Sequence, residues 1–253
     1  MVANIDAAFK QWASRPSEER YKNLESMRLA LQQRSESSRS IGPIDVSQMQ
    51  VLSIGDSLNL GYELSDTSTS IQLNNWSFGQ LAQSVGAPAS YLRSLPSQLA
   101  ADCINEGIAD YPDRERAIYT STDGGNLTAR AINSPQYSRY HDFQVITDLC
   151  DTLALDGWKV PPCRPYPNCP DSDTWLATSE DILPGDTFAL SIREGDKIGP
   201  GGLYSSDRDS FIFLVNQNNT VNTPSGPMFR ALIVSNSEVG AASFKIDCFL
   251  YSA

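Results

Sequence analysis

The 253-residue chain is 40% hydrophobic and 19% charged, a composition typical of folded globular proteins that excludes the disordered and collagen-like classes. Its formal net charge of −11 excludes a uniformly basic surface, so any contact with nucleic acid would need a local basic groove. No run approaches the roughly 18 consecutive apolar residues of a membrane span, and the N-terminus lacks the apolar stretch of a secretory signal. We therefore expect a cytoplasmic protein that does not enter the membrane.

The first predicted elements are two helices, at residues 4–13 and 17–34. The second begins with a serine followed by acidic residues, which suit the positive end of a helix, and apolar residues mark one of its faces. These apolar residues are Tyr21, Leu24, Met27 and Leu31. The polar segment RSESSRSIGP breaks the pattern and predicts a linker. We therefore expect a helical N-terminal arm over residues 1–40 and an α+β core domain over residues 41–253, with a packed N-terminal hairpin as an equal alternative.

From Gln48 the hydrophobic period changes to that of strands. The first three predicted strands read MQVLSIG, SLNLGYEL and TSIQL. Three helices are predicted to follow, one capped by Asn75 and ended by Gly86, and two starting at Pro88 and Pro96. The expected inward positions are Phe78, Leu81, Ala82 and Val85 in the first helix, and Leu99, Cys103, Ile104 and Ile108 in the last.

The segment RAIYTSTDGGNLTARAIN predicts a β-hairpin, because Asp123-Gly124-Gly125 can supply the positive φ angles of its turn. Asp142 is expected to cap a helix that runs through Leu155. The remaining chain is mostly strand, and its predicted strands read DTWLATS, TFALSIRE, SFIFLVNQ, FRALIVS and SFKIDCFLY. N-terminal helices, a small αβ section and then a mainly antiparallel, strand-rich second half predict an α+β fold.

The five cysteines do not predict a disulfide framework, because their number is odd and three fall where periodicity would bury them. Those three are Cys103, Cys150 and Cys248. Cys163 and Cys169 lie in a proline-rich loop, which is either a metal or redox loop or a rigid connection with incidental thiols. Since a set of four ligands is missing, we predict no metal and no cofactor.

Three blocks of the sequence resemble the phage/plasmid-like protein family (domain of unknown function 932). They are WASRPSEERYKNLESM, NNWSFGQLAQSVGAPASYLRSLP, and ARAINSPQYSRYHDFQVI with its later counterpart LIVSNSEVGAASFKIDCFLY. The resemblance implies a phage, plasmid or prophage setting in a bacterial host and does not imply a settled activity. Members of the family usually continue past the final strand into a segment with Cys, Asn and His. The chain ends at Ala253, so the resemblance implies either a short member of the family or one whose C-terminal segment has been trimmed.

The densest polar and aromatic cluster follows the predicted hairpin and consists of Tyr137, Arg139, Tyr140, His141 and Asp142. In a nucleic-acid-binding interpretation, arginines contact phosphates and tyrosines stack on bases, each stack being worth roughly 1–3 kcal/mol. The candidate residues are Arg114, Arg116, Arg130, Tyr137, Arg139 and Tyr140. In an enzymatic interpretation, His141 is a general base oriented by a carboxylate. In the structural interpretation, the cluster is simply a helix start with Asp142 as its cap and His141 half-exposed.

The segment Asn236-Ser237-Glu238-Val239-Gly240 links two predicted strands. It is either a plain turn or part of a polar pocket, because a tight turn does not require the glutamate. The predicted pocket consists of His141, Arg230, Asn236 and Glu238.

Gly55-Asp56-Ser57-Leu58 resembles the nucleophile block of the GDSL esterases. That resemblance implies Ser57 as the nucleophile, activated by a downstream Asp-x-x-His pair. The sequence has one histidine, His141, and Ser138 stands where the aspartate would be. Asp56-Ser57 is also followed by a strand pattern instead of a helix, which favours a hairpin turn.

The leading functional expectation is a non-enzymatic, self-associating protein of DNA transactions that binds or anneals single-stranded DNA. The first alternative is an acidic protein-binding module that counters a host defence or assembles with phage components. The second alternative is a hydrolase of the GDSL type.

Overall fold

The computed structural model describes residues 15–64, 67–110, 114–153, 157–161, 163, 165, 171–179, 181, 192–199, 201–224 and 226–251. The chain divides into two compact units. We call Gln33–Arg139 the central unit, and Met1–Gln32 together with Tyr140–Ala253 the terminal unit. The predicted boundary at residue 40 falls inside a strand, whereas the two units meet in sequence after residues 32 and 139.

The secondary structure confirms the predicted α+β class, with helices early in the chain and antiparallel strands dominating its second half. The strands of the central unit are β1 (Ser38–Asp45), β2 (Met49–Ile54), β3 (Ser57–Leu64), β4 (Thr67–Leu73), β5 (Glu115–Asp123) and β6 (Asn126–Asn133). They form one six-stranded sheet in the order β1-β5-β6-β4-β3-β2, in which only β4 and β6 pair in parallel.

Helices α2 (Asn75–Ser84), α3 (Ala89–Leu92) and α4 (Ser97–Asp110) bury their apolar sides against this sheet. Phe78, Leu81, Ala82 and Val85 are buried as the helical period predicted. The prediction for Leu99 is wrong, because it is 48% exposed while Ala100 and Ala101 take the inner positions of α4.

Two tight turns of the central unit follow directly from their glycines. Gly124 and Gly125 adopt φ angles of 55° and 86° between β5 and β6, which confirms the predicted hairpin. Gly55, with φ 61°, and Asp56 form the two-residue turn between β2 and β3. Residue types with a Cβ rarely adopt such angles, so both turns depend on glycine.

In the terminal unit, the strands are β7 (Trp158–Lys159), β8 (Trp175–Leu176), β9 (Lys197–Ile198), β10 (Leu203–Ser205), β11 (Ser210–Thr223), β12 (Gly226–Asn236) and β13 (Lys245–Tyr251). The larger sheet has the order β10-β11-β12-β13, with β7 also paired to β11. Residues of α1 (Leu24–Glu36) and α5 (Asp142–Leu153) pack on one face of this sheet. The core there includes Met27, Leu31, Ile146, Leu214 and Leu232.

The helix predicted at residues 17–34 begins later in the structure, as α1. Residues Ser17–Glu19 form a separate 3₁₀ turn, and α1 starts after Asn23, whose side chain accepts the Ser26 amide at 2.8 Å. The reason is an extended segment at Arg20, which bridges to Tyr204 at the edge of β10. An extended residue cannot continue a helix.

The polar segment RSESSRSIGP is not a linker, because it forms the end of α1 and the first part of β1. Strand β1 is an edge strand with most of its side chains exposed, so its polar residues suit its position. The cap of α2 is Asn74 and not Asn75, since the Asn74 side chain accepts the Ser77 amide at 2.8 Å.

Several predicted features lie outside the described residues: the helix at 4–13, most of TFALSIRE, Leu155 and Cys169. The prediction that Cys248 is buried is wrong, because it is exposed on β13. Cys103 and Cys150 are half-buried. None of the helices in the described ranges is long and apolar enough to cross a membrane.

Candidate functional site

A cleft of about 600 Å³ opens in the central unit where β5 begins and β6 ends. It is lined chiefly by polar and charged residues, namely Asp45, Ser47, Arg114, Glu115, Arg116 and Gln136. A smaller adjoining cavity shares Arg114 and Arg116 and adds Asn133 from the end of β6. The register of the hairpin explains the grouping, because Ala117 pairs with Asn133 and so brings the two strand ends together.

The two arginines of this cleft lie close enough to repel each other. Arg114 Nη1 donates to the Ser84 carbonyl at 3.0 Å, and Arg116 Nη1 donates to the Glu115 carbonyl at 2.9 Å. Burial, followed by the charge of Arg114, lowers the pKa of Arg116. No carboxylate of the described residues forms an ion pair with Arg116. The charge of an anion bound in the cleft would be attracted by both arginines.

Arg139 lies between two tyrosine rings beside this cleft. Its guanidinium carbon is 3.9 Å from the ring centroid of Tyr119 and 5.5 Å from that of Tyr137. Its Nη2 donates to Asn133 Oδ1 at 3.2 Å. Asn133 also lines the cavity with Arg114 and Arg116, and so links Arg139 to the arginine pair. We call these residues together the arginine cleft.

Arg130 does not belong to the exposed part of this surface. It is 5% exposed, and its guanidinium carbon is 5.1 Å from the ring centroid of Tyr119. It sits at a β-bulge, since Tyr119 pairs with Ala131 and Thr120 pairs with Ala129, which leaves Arg130 as the extra residue. Its role is to fill the interior beside Tyr119, so its prediction as a phosphate contact has no support in its geometry.

Tyr140 belongs to the terminal unit. Its hydroxyl donates to Asp148 Oδ2 at 2.6 Å, and its ring meets Phe244 edge to face at 5.0 Å. The hydrogen bond to Asp148, together with burial, raises the pKa of Tyr140. The structure therefore gives Tyr140 a packing role within the terminal unit.

A buried polar network lies where α5 begins in the terminal unit. Glu238 is 3% exposed, and its Oε1 accepts the Asp142 amide at 2.9 Å. Asn236 Nδ2 donates to the Tyr140 carbonyl at 2.7 Å and to Asp142 Oδ1 at 2.8 Å. Ser210 Oγ donates to the same Asp142 oxygen at 2.7 Å. The helix start is thus capped by Glu238, while the Asp142 carboxylate, which was predicted to cap it, binds side chains of the sheet.

Three members of the predicted polar pocket meet in this network. His141 Nδ1 lies 3.5 Å from Glu238 Oε1, and the histidine side chain is 42% exposed. Arg230 is not with them, because it precedes Asn236 on β12 by six residues, or roughly 20 Å of extended strand. A histidine backed by a carboxylate has the geometry of a general base. The neighbouring hydroxyls are engaged, however, since Ser210 binds Asp142 and Ser237 donates to the Arg208 carbonyl at 2.6 Å.

Ser57 occupies the first position of β3, directly after the Gly55-Asp56 turn. A GDSL nucleophile requires a strand-to-helix turn, and this segment is a β-hairpin. In the described part of the cysteine loop, Cys163 Sγ donates to the Gly199 carbonyl at 3.8 Å. No group of three His, Cys, Asp or Glu among the described residues is arranged to hold a metal ion.

Comparison with models of protein families, with curated proteins and with solved structures finds no match to this chain.

Sequence reasoning did not identify two residues that contact the candidate arginines, Tyr119 and Asn133. Tyr119 holds Arg130 and Arg139, but it reads as an ordinary strand residue until the bulge of the hairpin is known. Asn133 joins Arg139 to the arginine pair. The signal that points to it is the hairpin register, which pairs Asn133 with Ala117 next to Arg116.

Proposed function

We propose that this protein binds single-stranded DNA through the arginine cleft of its central unit. The observation that carries the proposal is that Arg114 and Arg116 line one cleft, with burial and mutual repulsion lowering the pKa of Arg116. The setting we propose is a phage- or plasmid-associated, non-enzymatic protein of DNA transactions in the cytoplasm of a bacterial host. The protein would also self-associate.

The chemistry of single-strand binding requires a cationic groove and nearby aromatic groups. Arginine presents a planar fork that matches the oxygens of a phosphate, so Arg114 and Arg116 suit adjacent phosphates or two oxygens of one. Tyr137 is half-buried against Arg139 and offers its ring edge to a base at the same surface. The cleft thus combines both requirements within a few residues of the hairpin end.

Negative charge limits how strong this binding can be. The central unit contains seven Arg and no Lys against eleven Asp and Glu, and Asp45 and Glu115 themselves line the cleft. Contacts are therefore few and local, and we expect a dissociation constant on the order of 10 μM at low salt. With two phosphates neutralised, the logarithm of the binding constant should fall with the logarithm of salt at a slope of about −1.4.

The test is fluorescence anisotropy with a labelled oligothymidine at low salt, followed by a salt titration. Arg116→Ala is expected to weaken binding about tenfold, because a charge-assisted hydrogen bond is worth roughly 1.5–3 kcal/mol. It should also make the salt slope shallower by about 0.7. The matched control is Arg39→Ala, which removes an exposed arginine of the same sheet outside the cleft.

Two results would contradict the proposal. One is the absence of binding by the wild-type protein at about 10 μM, since non-specific contacts normally reach that range. The other is an equal loss for Arg116→Ala and Arg39→Ala, which would assign the effect to bulk charge and not to the cleft.

The second candidate function is an acidic protein-binding module that counters a host defence or assembles with phage components. The net charge of −11 favours a basic partner, and an exposed apolar strand face, described below, favours a protein partner. Purified protein that fails the anisotropy test but recovers a stoichiometric protein from host lysate at moderate salt would favour this function over DNA binding.

A further inference from the structure

Strand β13 is an open edge of the larger sheet in the terminal unit. It pairs with β12 along its whole length without a register shift, and β12 is its sole strand neighbour among the described residues. An edge of seven residues presents a row of unpaired main-chain donors and acceptors, which is a template for pairing with another strand.

One face of β13 is apolar and exposed. Ile246, Cys248 and Leu250 alternate along the strand, with Ile246 51% and Leu250 43% exposed, and Phe244 just before the strand is 43% exposed. In register, Ile246 pairs with Val234 and Cys248 pairs with Leu232. Directly paired residues point to the same face, so this row continues the face that carries the core of the terminal unit. The helices cover that face over β11 and β12 and leave it open at β13.

Three other edge strands among the described residues, β1, β2 and β10, carry features that protect their edges. The edge of β2 is capped by Asn105, whose side chain accepts the Val51 amide at 2.8 Å and donates to the Val51 carbonyl at 2.9 Å. The edge strand β1 contains Pro43 and a register shift. The edge of β10 is bridged by Arg20. Proline, bulges and covering groups are the usual means of preventing strands from pairing between molecules.

We propose that β13 is the self-association surface of this protein and pairs antiparallel with β13 of a second copy. Full overlap of the strand with its copy places Lys245 opposite Tyr251, Ile246 opposite Leu250 and Asp247 opposite Phe249. Cys248 then faces Cys248 of the second copy across the two-fold axis. The two apolar rows meet on one face, and the two sheets become one continuous sheet.

The charges of the strand fit a second copy of the same chain. Lys245 and Asp247 form an ion pair of 2.6 Å within β13, so the strand carries no net charge into the contact, although the whole chain carries −11. The two Asp247 carboxylates approach only diagonally, and each keeps its own lysine. This surface rests on the self-association in the proposed function and is independent of DNA binding.

The geometry supplies a specific readout at the two-fold axis. Residues directly opposite in an antiparallel pair have Cα atoms about 4.5 or 5.5 Å apart, and a disulfide spans roughly 4.4–6.8 Å. Mild oxidation with copper phenanthroline should therefore form a disulfide between the two Cys248 residues. The copper complex accepts two electrons from the pair of thiols, and the two protons go to solvent. A half-buried or buried cysteine elsewhere, such as Cys103, Cys150 or Cys163, is a poorer candidate for this link.

The experiment combines light scattering and cross-linking on the full chain without DNA. Wild-type protein is expected to be a dimer of micromolar affinity and to give a covalent dimer on oxidation. Ile246→Lys should raise the dimer dissociation constant at least tenfold, whereas Leu99→Lys, a change at a similarly exposed leucine of α4, should leave it unchanged. Cys248→Ser should abolish the covalent link and preserve the non-covalent dimer. Circular dichroism confirms that each variant is folded.

A monomer at about 100 μM overturns the proposal, as does a cross-link that survives Cys248→Ser. Protection of the Cys248 thiol from labelling in a monomer would show that the chain covers its own edge and would overturn it too. A dimer that fails to bind DNA would refute the DNA part of the proposed function and leave this surface intact.

Discussion

Removal of Glu238 is the sharpest test of what the buried polar network does. Its carboxylate accepts the Asp142 amide at 2.9 Å at the first turn of α5, in a place where the side chain is 3% exposed. In Glu238→Ala no side-chain acceptor replaces it, so a buried amide loses its hydrogen bond. The change therefore removes both a cap and a negative group at the positive end of a helix.

The magnitude follows from these two losses. A buried donor left unsatisfied costs about 1–3 kcal/mol, and a carboxylate at a helix N-terminus contributes roughly 0.3–2 kcal/mol. The two effects overlap, so Glu238→Ala should lower the free energy of unfolding by about 2–4 kcal/mol. Glu238→Gln retains an acceptor oxygen of the same reach and should lose only about 1 kcal/mol, the part that depends on charge.

Urea-induced unfolding, followed by circular dichroism, measures both variants. A loss below about 0.5 kcal/mol for Glu238→Ala, the usual range of neutral surface changes, would refute the capping role. An equal loss for alanine and glutamine would refute the assignment of most of the effect to the hydrogen bond with Asp142. A third variant, His141→Ala, should change stability little, because its side chain is 42% exposed.

Two further predictions concern the interior of each unit. Burial, followed by the neighbouring Asp209 charge, raises the pKa of Tyr204 to about 12, above the roughly 10 of an unfolded tyrosine. The folded state therefore holds that proton more tightly, and about 2 kcal/mol of stability, fully present below pH 10, should be lost as pH rises through 12. Urea unfolding between pH 9 and 12 should show this extra loss in wild-type protein and not in Tyr204→Phe; parallel profiles would contradict it. Gly107→Ala should destabilise by about 1–2 kcal/mol despite the higher helix propensity of alanine, because the added Cβ would lie 2.9 Å from Val85 Cβ and Cγ2. Thermal unfolding should show no comparable loss for Glu106→Ala on the exposed side of α4, and a stable Gly107→Ala would mean that Val85 can move aside.

Hydrophobic period and turn chemistry predicted much of the fold. The buried face of α2 and the β5–β6 hairpin are local patterns, decided by residues three or four apart or by two glycines. The polar strand β1 was missed, because an edge strand needs little apolar surface once a partner supplies its hydrogen bonds. Its pairing with β5 joins residues about 80 positions apart, and a local pattern contains no such information.

Cys248 also shows that a local pattern does not determine burial, here for an apolar strand that is exposed. Residues that alternate along β13 share a face, and the register with β12 places Cys248 opposite Leu232. Burial of that face depends on where the helices end across the sheet, which is a property of the whole unit and not of the strand. The strand period therefore predicted burial of Cys248 wrongly.

The sequence identified which residue types could form a site, but it did not predict which of them are exposed or in contact with one another. Arg114 and Arg116 lie beside Asn133, which binds Arg139, because the turn at Gly124 and Gly125 returns β6 alongside β5. Arg130, of the same type and on the same hairpin, is buried by the bulge. His141 and Glu238 meet through the docking of α5 on the sheet, a contact across 97 residues that their positions in sequence do not suggest.

The arginines of the central unit divide by what they contact, and this division decides how the DNA proposal can be tested. Arg93 donates to Asn75 and Arg130 fills the space beside Tyr119, so their removal would disturb the fold itself. Among the described residues, the Arg116 side chain donates to the carbonyl of its neighbour Glu115, and its pKa is lowered by burial and by Arg114. Replacing it relieves a repulsion and costs little packing. Arg116→Ala should therefore weaken oligonucleotide binding without lowering stability, whereas any weaker binding in Arg130→Ala should come with unfolding at lower urea.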